Sequence, residues 1–202
     1  MRLLLTISLM ALLAGCSAEE PQSFEKIKEA SVIQPVQPVK NSDRQASSSE
    51  GIIPTALSIP ALDLEASVKE FGLDEEGNME LPKNGEDVAW FGPGTEPGES
   101  GNAVLAAHVD NEKAPAVFFR LKELNKGDEI HVRDEEGTEL TFVVKEKVAY
   151  QKDDAPMREI FGPTDKRRLN LITCTGYFDR EMHNYVERLV VYTELKDQQH
   201  ET

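Results

Sequence analysis

The sequence predicts a mainly β domain, of barrel or sandwich type, between residues 52 and 196. Three observations support this class. Runs in which apolar and polar residues alternate recur along the domain, separated by Gly, Pro, Asn and Asp turn signals about every 8 to 12 residues. Only two short stretches have helical features, so little helix is expected. The roughly 145 residues suit one domain with one hydrophobic core.

The first half of the domain predicts strands joined by loops. The stretch TALSIPALDLEASV (55–68) alternates in polarity and is broken by Pro60. DVAWF (87–91) predicts a short strand, and a Gly/Pro-rich loop leads from it to a strand over 102–109. AVFFRLKEL (116–124) has apolar residues at helical spacing, which predicts one or two turns of helix.

The second half predicts a hairpin, a short helix and two final strands. DEIHVRDEEGTELTFVVKEKVAYQ (128–151) indicates a β-hairpin, because two alternating runs meet at an acidic turn that contains Gly137. DAPMREIFG (154–162) favours a short helix with Asp154 as its N-cap. The last two strands are RRLNLITCT (167–175) and YVERLVVYTEL (185–195).

The N-terminus predicts a lipoprotein signal peptide over residues 1–15. Arg2 precedes a largely apolar run of 12 residues, Leu3 to Ala14. A membrane span needs about 20 apolar residues, so this run has the length of a secretory signal instead. It ends in Leu-Ala-Gly-Cys, which resembles a bacterial lipobox, with Cys16 as the lipidated residue. Two acyl chains would hold the mature chain on the outer face of a membrane. The alternative is an ordinary signal peptide that contains a cysteine.

The regions outside the domain are polar. Residues 16–51 are rich in Ser, Gln, Pro and charge, which predicts a disordered tether from Cys16 to the domain, and residues 197–202 form a C-terminal tail. The chain has 22 Lys and Arg against 37 Asp and Glu, a formal charge of −15. This acidity argues against nucleic acid as a partner and suits an exported domain with basic partners.

Cys174 is the candidate nucleophile. The chain has two cysteines, and lipidation of Cys16 would leave Cys174 without an intramolecular partner. Exported domains usually pair their cysteines, so a lone thiol is a candidate for reactivity, with intermolecular pairing as the alternative. The apolar run before Cys174 predicts that the strand stops there, with a turn at Gly176. A thiol at a strand end would have one side open to a substrate. Burial would raise its pKa and nearby positive charge would lower it, and the sequence leaves open which prevails.

A cysteine nucleophile needs a proton-transfer partner and donors for an oxyanion. His108 ends the apolar run AVLAAHVD, which places it at the rim of the predicted barrel, although a lone His there is more often a hydrogen-bonded strand-end residue. The remaining histidines fall on a strand's solvent face, in a polar loop and in the tail: His131, His183 and His200. Arg188 follows Cys174 by 14 residues, at the start of a strand that should return beside it. Its guanidinium could hold a carbonyl or an oxyanion, whereas in isolation it would more often be a solvated strand-edge residue.

The stretches AVLAAHVD, LNLITCTG and YVERLVVYTEL resemble, in order and spacing, the His, Leu-x-Thr-Cys and Arg motifs of sortases. These are cysteine transpeptidases of the Gram-positive cell surface. The loop WFGPGTEPGESG and the stretch APAVFFRLKELNKGDEIHV look most like class F sortases. The resemblance covers about residues 53–195, with two departures. Asn170 stands where many sortases have Thr, and the lipobox replaces the more usual N-terminal transmembrane helix.

The resemblance implies an eight-stranded sortase-type β-barrel with one or two short helices, in which His108, Cys174 and Arg188 meet at one end. Cys174 would attack a sorting signal of the Leu-Pro-x-Thr-Gly type and form a thioacyl enzyme. An amine from a peptidoglycan cross-bridge or a protein would then accept the acyl group. His108 would act as general acid and then as general base, and Arg188 would stabilise the oxyanion or position the substrate.

The resemblance also implies secondary roles and a location. Thr173 would contribute a hydroxyl or backbone contact to the substrate, and Asp110 would orient His108 or remain a solvated loop residue. No cofactor and no metal are expected. The expected location is the outer face of the cytoplasmic membrane of a Gram-positive bacterium, through the lipid anchor.

Three other functions fit the sequence less well. An L,D-transpeptidase would carry a Ser-x-Gly-Cys stretch, whereas Leu-Ile-Thr precedes Cys174. A metal site of His108, Cys174 and His183 lacks the usual ligand spacing. A surface lipoprotein of sortase fold that binds peptides without transpeptidation is the non-enzymatic alternative, and its access loop would be YFDREMHNY between Cys174 and Arg188.

Overall fold

The computed structural model describes residues 50–111 and 114–197, and the predicted signal peptide, Cys16 and most of the tether and tail lie outside these residues. The described part contains eight strands: β1 (Ala56–Ile59), β2 (Leu64–Phe71), β3 (Val88–Phe91), β4 (Gly101–Ala106), β5 (Glu129–Arg133), β6 (Glu139–Gln151), β7 (Arg167–Asp179) and β8 (Asn184–Leu195). It also contains one α-helix, α1 (Met157–Phe161), and 3-10 helices over Pro60–Leu62, Leu121–Glu123 and Lys152–Asp154. Within these residues, no helix is long and apolar enough to cross a membrane.

The strands close into a barrel in the order β1-β2-β3-β4-β7-β8-β6-β5. The β2–β3 and β4–β7 pairs are parallel and the others are antiparallel. The eight-stranded, mainly β architecture is therefore as predicted. The β5–β6 hairpin is also confirmed, and Gly137 in its turn has a φ of 89°, a left-handed conformation that glycine adopts without steric cost.

The barrel interior is apolar because alternate residues of each strand point inward. On the three strands that will concern the site, Leu105, Leu171 and Leu189 belong to this core. The core continues through every strand, and the loop residues Phe118, Leu121 and Leu124 close part of it. All three of these loop residues are fully buried.

A second, smaller apolar cluster lies on the outer face of β4, β7 and β8, where Val104, Val190 and Tyr192 pack with Ile160 of α1. Two buried asparagines fix the α1 segment there. The Asn102 side chain donates to the Gly162 carbonyl (2.6 Å), and the Asn170 side chain donates to the Ile160 carbonyl (2.8 Å). Asn170, the departure from the sortase motif, therefore anchors α1 to the outer face of the barrel.

Two helix predictions differ from the structure. Residues 117–124 form turns with i to i+3 hydrogen bonds, and their regular part is the 3-10 helix Leu121–Glu123. The prediction of Asp154 as N-cap is wrong, because Asp154 ends the preceding 3-10 helix and Pro156 occupies the N-cap of α1. The residue before a proline is disfavoured in helical geometry, so the helix cannot start at Asp154.

The predicted end of the strand at Cys174 is also wrong. Strand β7 continues through Cys174 to Asp179 and pairs with β8 over this extension. The pairing register shifts between Thr175 and Phe178, at a β-bulge where Gly176 has a φ of 80°. Gly176 therefore marks a bulge within a hairpin, and the predicted access loop is largely an extension of that hairpin.

Candidate active site

Three neighbouring strands bring the predicted site residues together at one end of the barrel. Cys174 of β7 is the direct register partner of Arg188 of β8. On the other side of β7, the parallel β4 pairs Ala106 with Ile172, so His108 follows β4 at the level of Cys174. Side chains alternate between the two faces of a strand. Ile172 and Val190 lie in the outer cluster, and their alternation places Cys174 and Arg188 on the outer face as well.

His108 is fixed by its ring and by its backbone. Its Nε2 lies 3.0 Å from the carbonyl oxygen of Pro82, in the loop between β2 and β3. A carbonyl can only accept, so Nε2 carries the proton in this contact. The His108 carbonyl in turn accepts from the backbone N–H of Phe118 (3.1 Å). In the neutral ring, Nδ1 is then the nitrogen that can take up a proton.

Cys174 is a partly buried free thiol. Burial is the main cause that raises its pKa above the ordinary value. The positive charge of Arg188 lowers the pKa, whereas the carboxylate of Asp110 raises it further. The raising effect of burial on the pKa is larger than the lowering effect of the guanidinium, a question that the sequence left open. At neutral pH the group is therefore mainly a thiol, and its proton must be removed during any nucleophilic attack.

Arg188 is held rigidly by its own strand. One terminal nitrogen donates to the carbonyls of Tyr185 (3.0 Å) and Glu187 (2.9 Å). The other donates to the side-chain oxygen of Asn184 (3.0 Å). These contacts hold the guanidinium beside Cys174, and preorganised donors are what oxyanion stabilisation requires. The planar guanidinium holds its donors in one fixed plane, whereas the ammonium group of a lysine is a compact charge on a flexible chain.

Thr173 and Asp110 each make a side-chain hydrogen bond within the protein. Thr173 is 4% exposed, and its hydroxyl donates to the Ala107 carbonyl (2.7 Å), which ties β7 to the chain just after β4. Asp110 accepts a hydrogen bond from the hydroxyl of Tyr185 (2.5 Å). This bond, together with burial and the charge of Asp110, raises the pKa of Tyr185 to about 12. A substrate contact by Thr173 and an interaction of Asp110 with His108 remain predictions.

Sequence reasoning missed three residues of this site. Pro82 acts through its backbone carbonyl, a group that every residue carries, so the sequence holds no signal for it. Tyr185 and Asn184 become visible once β8 is known to begin at Asn184, because both then lie close to Arg188 on the strand. In residues 50–111 and 114–197, no group of three or more His, Cys, Asp or Glu side chains could hold a metal ion.

A family model described as the Sortase domain matches residues 57–196, more than half of the chain. The chain therefore belongs to the sortase family of cysteine transpeptidases. No curated protein matches it.

Solved structures share the fold at low identity. Sortase A from Corynebacterium diphtheriae is 20% identical with a TM-score of 0.57, over 76% of this chain and 65% of that one, so the match spans less than two thirds of the relative. Sortase C-1 from Actinomyces oris is 23% identical with a TM-score of 0.56, over 73% of this chain and 75% of that one. Sortase C from Clostridium perfringens SM101 is 22% identical with a TM-score of 0.53, over 73% and 72% respectively. The resemblance to class F remains a prediction.

Proposed function

We propose that this protein cleaves a sorting signal of the Leu-Pro-x-Thr-Gly type and transfers it to an amine on the cell surface. The supporting observation is the direct pairing of Cys174 with Arg188 of β8. On the other side of β7, His108 follows the end of β4 at the level of Cys174. In this proposal Cys174 is the nucleophile, His108 carries the protons and Arg188 is the fixed cation. The acceptor would be a peptidoglycan cross-bridge or another protein.

In the first half-reaction, the sulfur of Cys174 attacks the carbonyl carbon of the Thr–Gly bond. The C–S bond forms, the C–N bond breaks, and the thiol proton passes through His108 to the leaving glycine amine. Arg188 faces the carbonyl oxygen as negative charge develops there. Because burial raises the pKa of Cys174, the resting group is a thiol, and its proton has to be removed for the attack to occur.

The second half-reaction releases the acyl group to an amine. The C–N bond to the acceptor forms while the C–S bond breaks, and His108 takes the proton that the amine loses. That proton then returns to Cys174, which regenerates the free thiol. Both half-reactions use the same imidazole, as acid and then as base.

We also propose that the chain works at the outer face of the cytoplasmic membrane of a Gram-positive bacterium. The sequence around Cys16 supports processing to a lipidated N-terminus, and a tether of about 35 residues would separate lipid from domain. Mature protein should begin at Cys16 and partition with membranes. Cys16→Ser should be unprocessed or released, and a mature chain that begins elsewhere without lipid would contradict the anchor.

The non-enzymatic alternative is a surface lipoprotein that binds peptides without transpeptidation. The two possibilities differ in whether a covalent bond forms at Cys174. A peptide-binding protein would tolerate replacement of the thiol, whereas the transpeptidase would lose all turnover.

The experiment combines a fluorogenic Leu-Pro-x-Thr-Gly peptide library with a primary amine and identifies ligated products by mass. We expect cleavage, a thioacyl adduct on Cys174 and an amine-ligated product. Cys174→Ala should abolish all three, because among residues 50–111 and 114–197 no other thiol can form the adduct. Peptide binding without an adduct in the wild-type protein would favour the alternative function instead.

A further inference from the structure

A chain of contacts runs around one side of Cys174 and ends in a carboxylate. Arg188, the register partner of Cys174, donates to the Tyr185 carbonyl. The hydroxyl of the same tyrosine donates to Asp110 at 2.5 Å. Asp110 lies two residues beyond His108. Tyr185 therefore connects the strand that carries Arg188 with the segment that carries His108.

The Tyr185 side chain is held in place from its other side as well. Tyr185 is the register partner of Phe178 on β7, and their rings meet edge to face with centroids 5.3 Å apart. An isolated bridge between Asp110 and Pro115 fixes the backbone of the aspartate. Both ends of the Asp110–Tyr185 hydrogen bond are thus anchored to the barrel, and the carboxylate has a defined position.

The position of this carboxylate disfavours ionisation of the Cys174 thiol. Asp110 lies close enough to Cys174 to oppose its ionisation, in the same direction as burial. The positive charge of Arg188, on β8, has the opposite effect and favours ionisation of the thiol. A fixed negative charge beside a nucleophile therefore suits a different step, in which a positively charged group approaches the same atom.

We propose that Asp110, positioned by Tyr185, is the acceptor-binding residue that holds the ammonium group of the incoming amine next to the thioacyl bond. This inference rests on the proposed transpeptidase function and names the charge class of its second substrate. Primary amines of cell-surface acceptors are protonated near neutral pH, because their pKa values lie at about 8 to 10.4. A carboxylate near the thioacyl bond attracts such a cation, and so favours the amine acceptor over neutral water.

The proton balance of this step is complete without a further reactant. The bound ammonium releases one proton to solvent and becomes a nucleophilic amine. It attacks the thioester carbon, its second proton passes to His108 as the C–N bond forms, and the C–S bond breaks. The imidazolium then returns that proton to the Cys174 thiolate. The net products are an amide, a free thiol and one proton in solution.

The test compares a cationic acceptor with an uncharged one on the same acyl enzyme. The cationic acceptor is a primary alkylamine, and the uncharged acceptor is hydroxylamine, which is neutral at pH 7.5. For Asp110→Asn we expect the KM of the alkylamine to rise about tenfold, the scale for loss of a charge-assisted contact. The constants for hydroxylamine should change little, and the share of hydrolysed product should rise.

Two further variants separate charge from position. Asp110→Glu keeps the carboxylate and should recover part of the preference for the alkylamine. Tyr185→Phe keeps both the charge and the contact with Phe178 but loses the hydrogen bond, so its KM for the alkylamine should rise less than that of Asp110→Asn. Glu135→Gln removes one exposed negative charge from the β5–β6 turn, at the opposite end of the barrel, and should change nothing.

A second readout needs no peptide. The charged and titratable groups near Cys174 are Arg188 and Tyr185 from β8, and Asp110 and His108 from the segment after β4. Asp110→Asn removes a charge that opposes ionisation, so alkylation of Cys174 should shift to lower pH. Glu135→Gln should leave the alkylation profile in place. An unchanged profile for Asp110→Asn would show that the carboxylate does not face the thiol, which would overturn the inference.

The outcomes of the two hypotheses are distinguishable. Absence of a thioacyl adduct in the wild-type protein would overturn the proposed function, and this inference with it. A normal adduct with equal losses toward alkylamine and hydroxylamine in Asp110→Asn would mean a structural role and overturn the inference alone. The same holds if the alkylamine KM is unchanged. Should Asp110→Asn fail to fold, folded Asp110→Glu and Tyr185→Phe carry the test, and wild-type acceptor constants in both would overturn the inference.

Discussion

The two halves of β7 differ in how they are supported. Up to Ile172, the strand is paired on both sides, with β4 and with β8. From Cys174 onward, the β4 pairing has ended and the pairing with β8 alone continues to Asp179. The first half contributes fully buried Leu169 and Leu171, whereas in the second half Tyr177 is 68% exposed.

This difference shows how one strand can serve both stability and chemistry. Cys174 lies just past the last residue pair between β4 and β7, so among the described residues no strand is paired with β7 on that side of Cys174. The continued pairing with β8 fixes its backbone and places Arg188 directly opposite. The thiol is only partly buried at the point where the β4 pairing ends, and it stays well positioned because the strand itself continues.

The largest effect in this comparison is expected from Arg188→Lys, which alters the partner of the thiol and preserves its charge. Lysine loses the planar head that bonds to Asn184 and to two carbonyls. Turnover should fall by about 10² or more, the scale for one oxyanion donor. Steady-state kinetics at two salt concentrations checks this. Arg133→Lys, an exposed residue at the far end of β5, is the matched control.

Near wild-type turnover in folded Arg188→Lys would remove Arg188 from the catalytic set. In that case the arginine acts by charge alone, and the remaining effect should weaken as salt screens it. The site would then be a dyad of Cys174 and His108.

Much of the fold follows from sequence because it depends on local patterns. Alternation predicts the strands, Pro60 interrupts the first pair, and Gly137 sits in the predicted hairpin turn. The end of β7 could not be predicted, because polar and aromatic residues after Cys174 read as a loop. They form a strand because β8 supplies the hydrogen bonds, a tertiary effect that propensity does not contain.

The site residues were likewise predictable from sequence only in part. His108, Cys174 and Arg188 are recognisable because their side chains carry the chemistry and their motifs have a known order. The contacts of Pro82 and Tyr185 depend on which loop and which strand come to lie beside them. The order of the strands in the barrel determines these contacts, so they cannot be predicted from residue type.

The second prediction contrasts the stability of the two halves of β7. Leu171→Ala leaves a cavity in the fully buried core and should lower the free energy of unfolding by about 2 to 5 kcal/mol. Tyr177→Ala, in the exposed half, should change it by less than about 0.5 kcal/mol. Urea denaturation measures both values. A loss at Tyr177 comparable to that at Leu171 would mean that the second half of β7 is packed as part of the core.

The third prediction concerns the thiol at the boundary. Because burial raises the pKa of Cys174, its alkylation in the folded protein should rise with pH only above the range of an ordinary thiol. Unfolding in urea removes the burial, so the profile should move to lower pH. Rates measured with an alkylating reagent across a pH series check the sign. A folded profile at or below the unfolded one would mean that Arg188 outweighs burial.

A smaller effect on turnover than that of Arg188→Lys is expected at the bulge that follows the thiol. Gly176 has a φ of 80°, and a Cβ there would lie 2.9 Å from a carboxylate oxygen of Glu187 and 3.1 Å from a methyl carbon of Val186. Gly176→Ala should therefore destabilise the protein by about 1 kcal/mol or more. It should also lower turnover several-fold, since Glu187 precedes Arg188 and bonds to it through its carbonyl.

Gly137→Ala is the matched control for this last change. Gly137 has a similar φ of 89°, but a Cβ there would meet nothing within 4 Å, and the β5–β6 turn lies at the other end of the barrel. Its substitution should therefore carry the backbone strain alone, with a comparable loss of stability and unchanged turnover. If both variants lose stability and neither loses turnover, the bulge adapts without moving Arg188. If Gly176→Ala alone loses turnover, the bulge sets the geometry of the Cys174–Arg188 pair, and the exposed half of β7 contributes to chemistry through its shape.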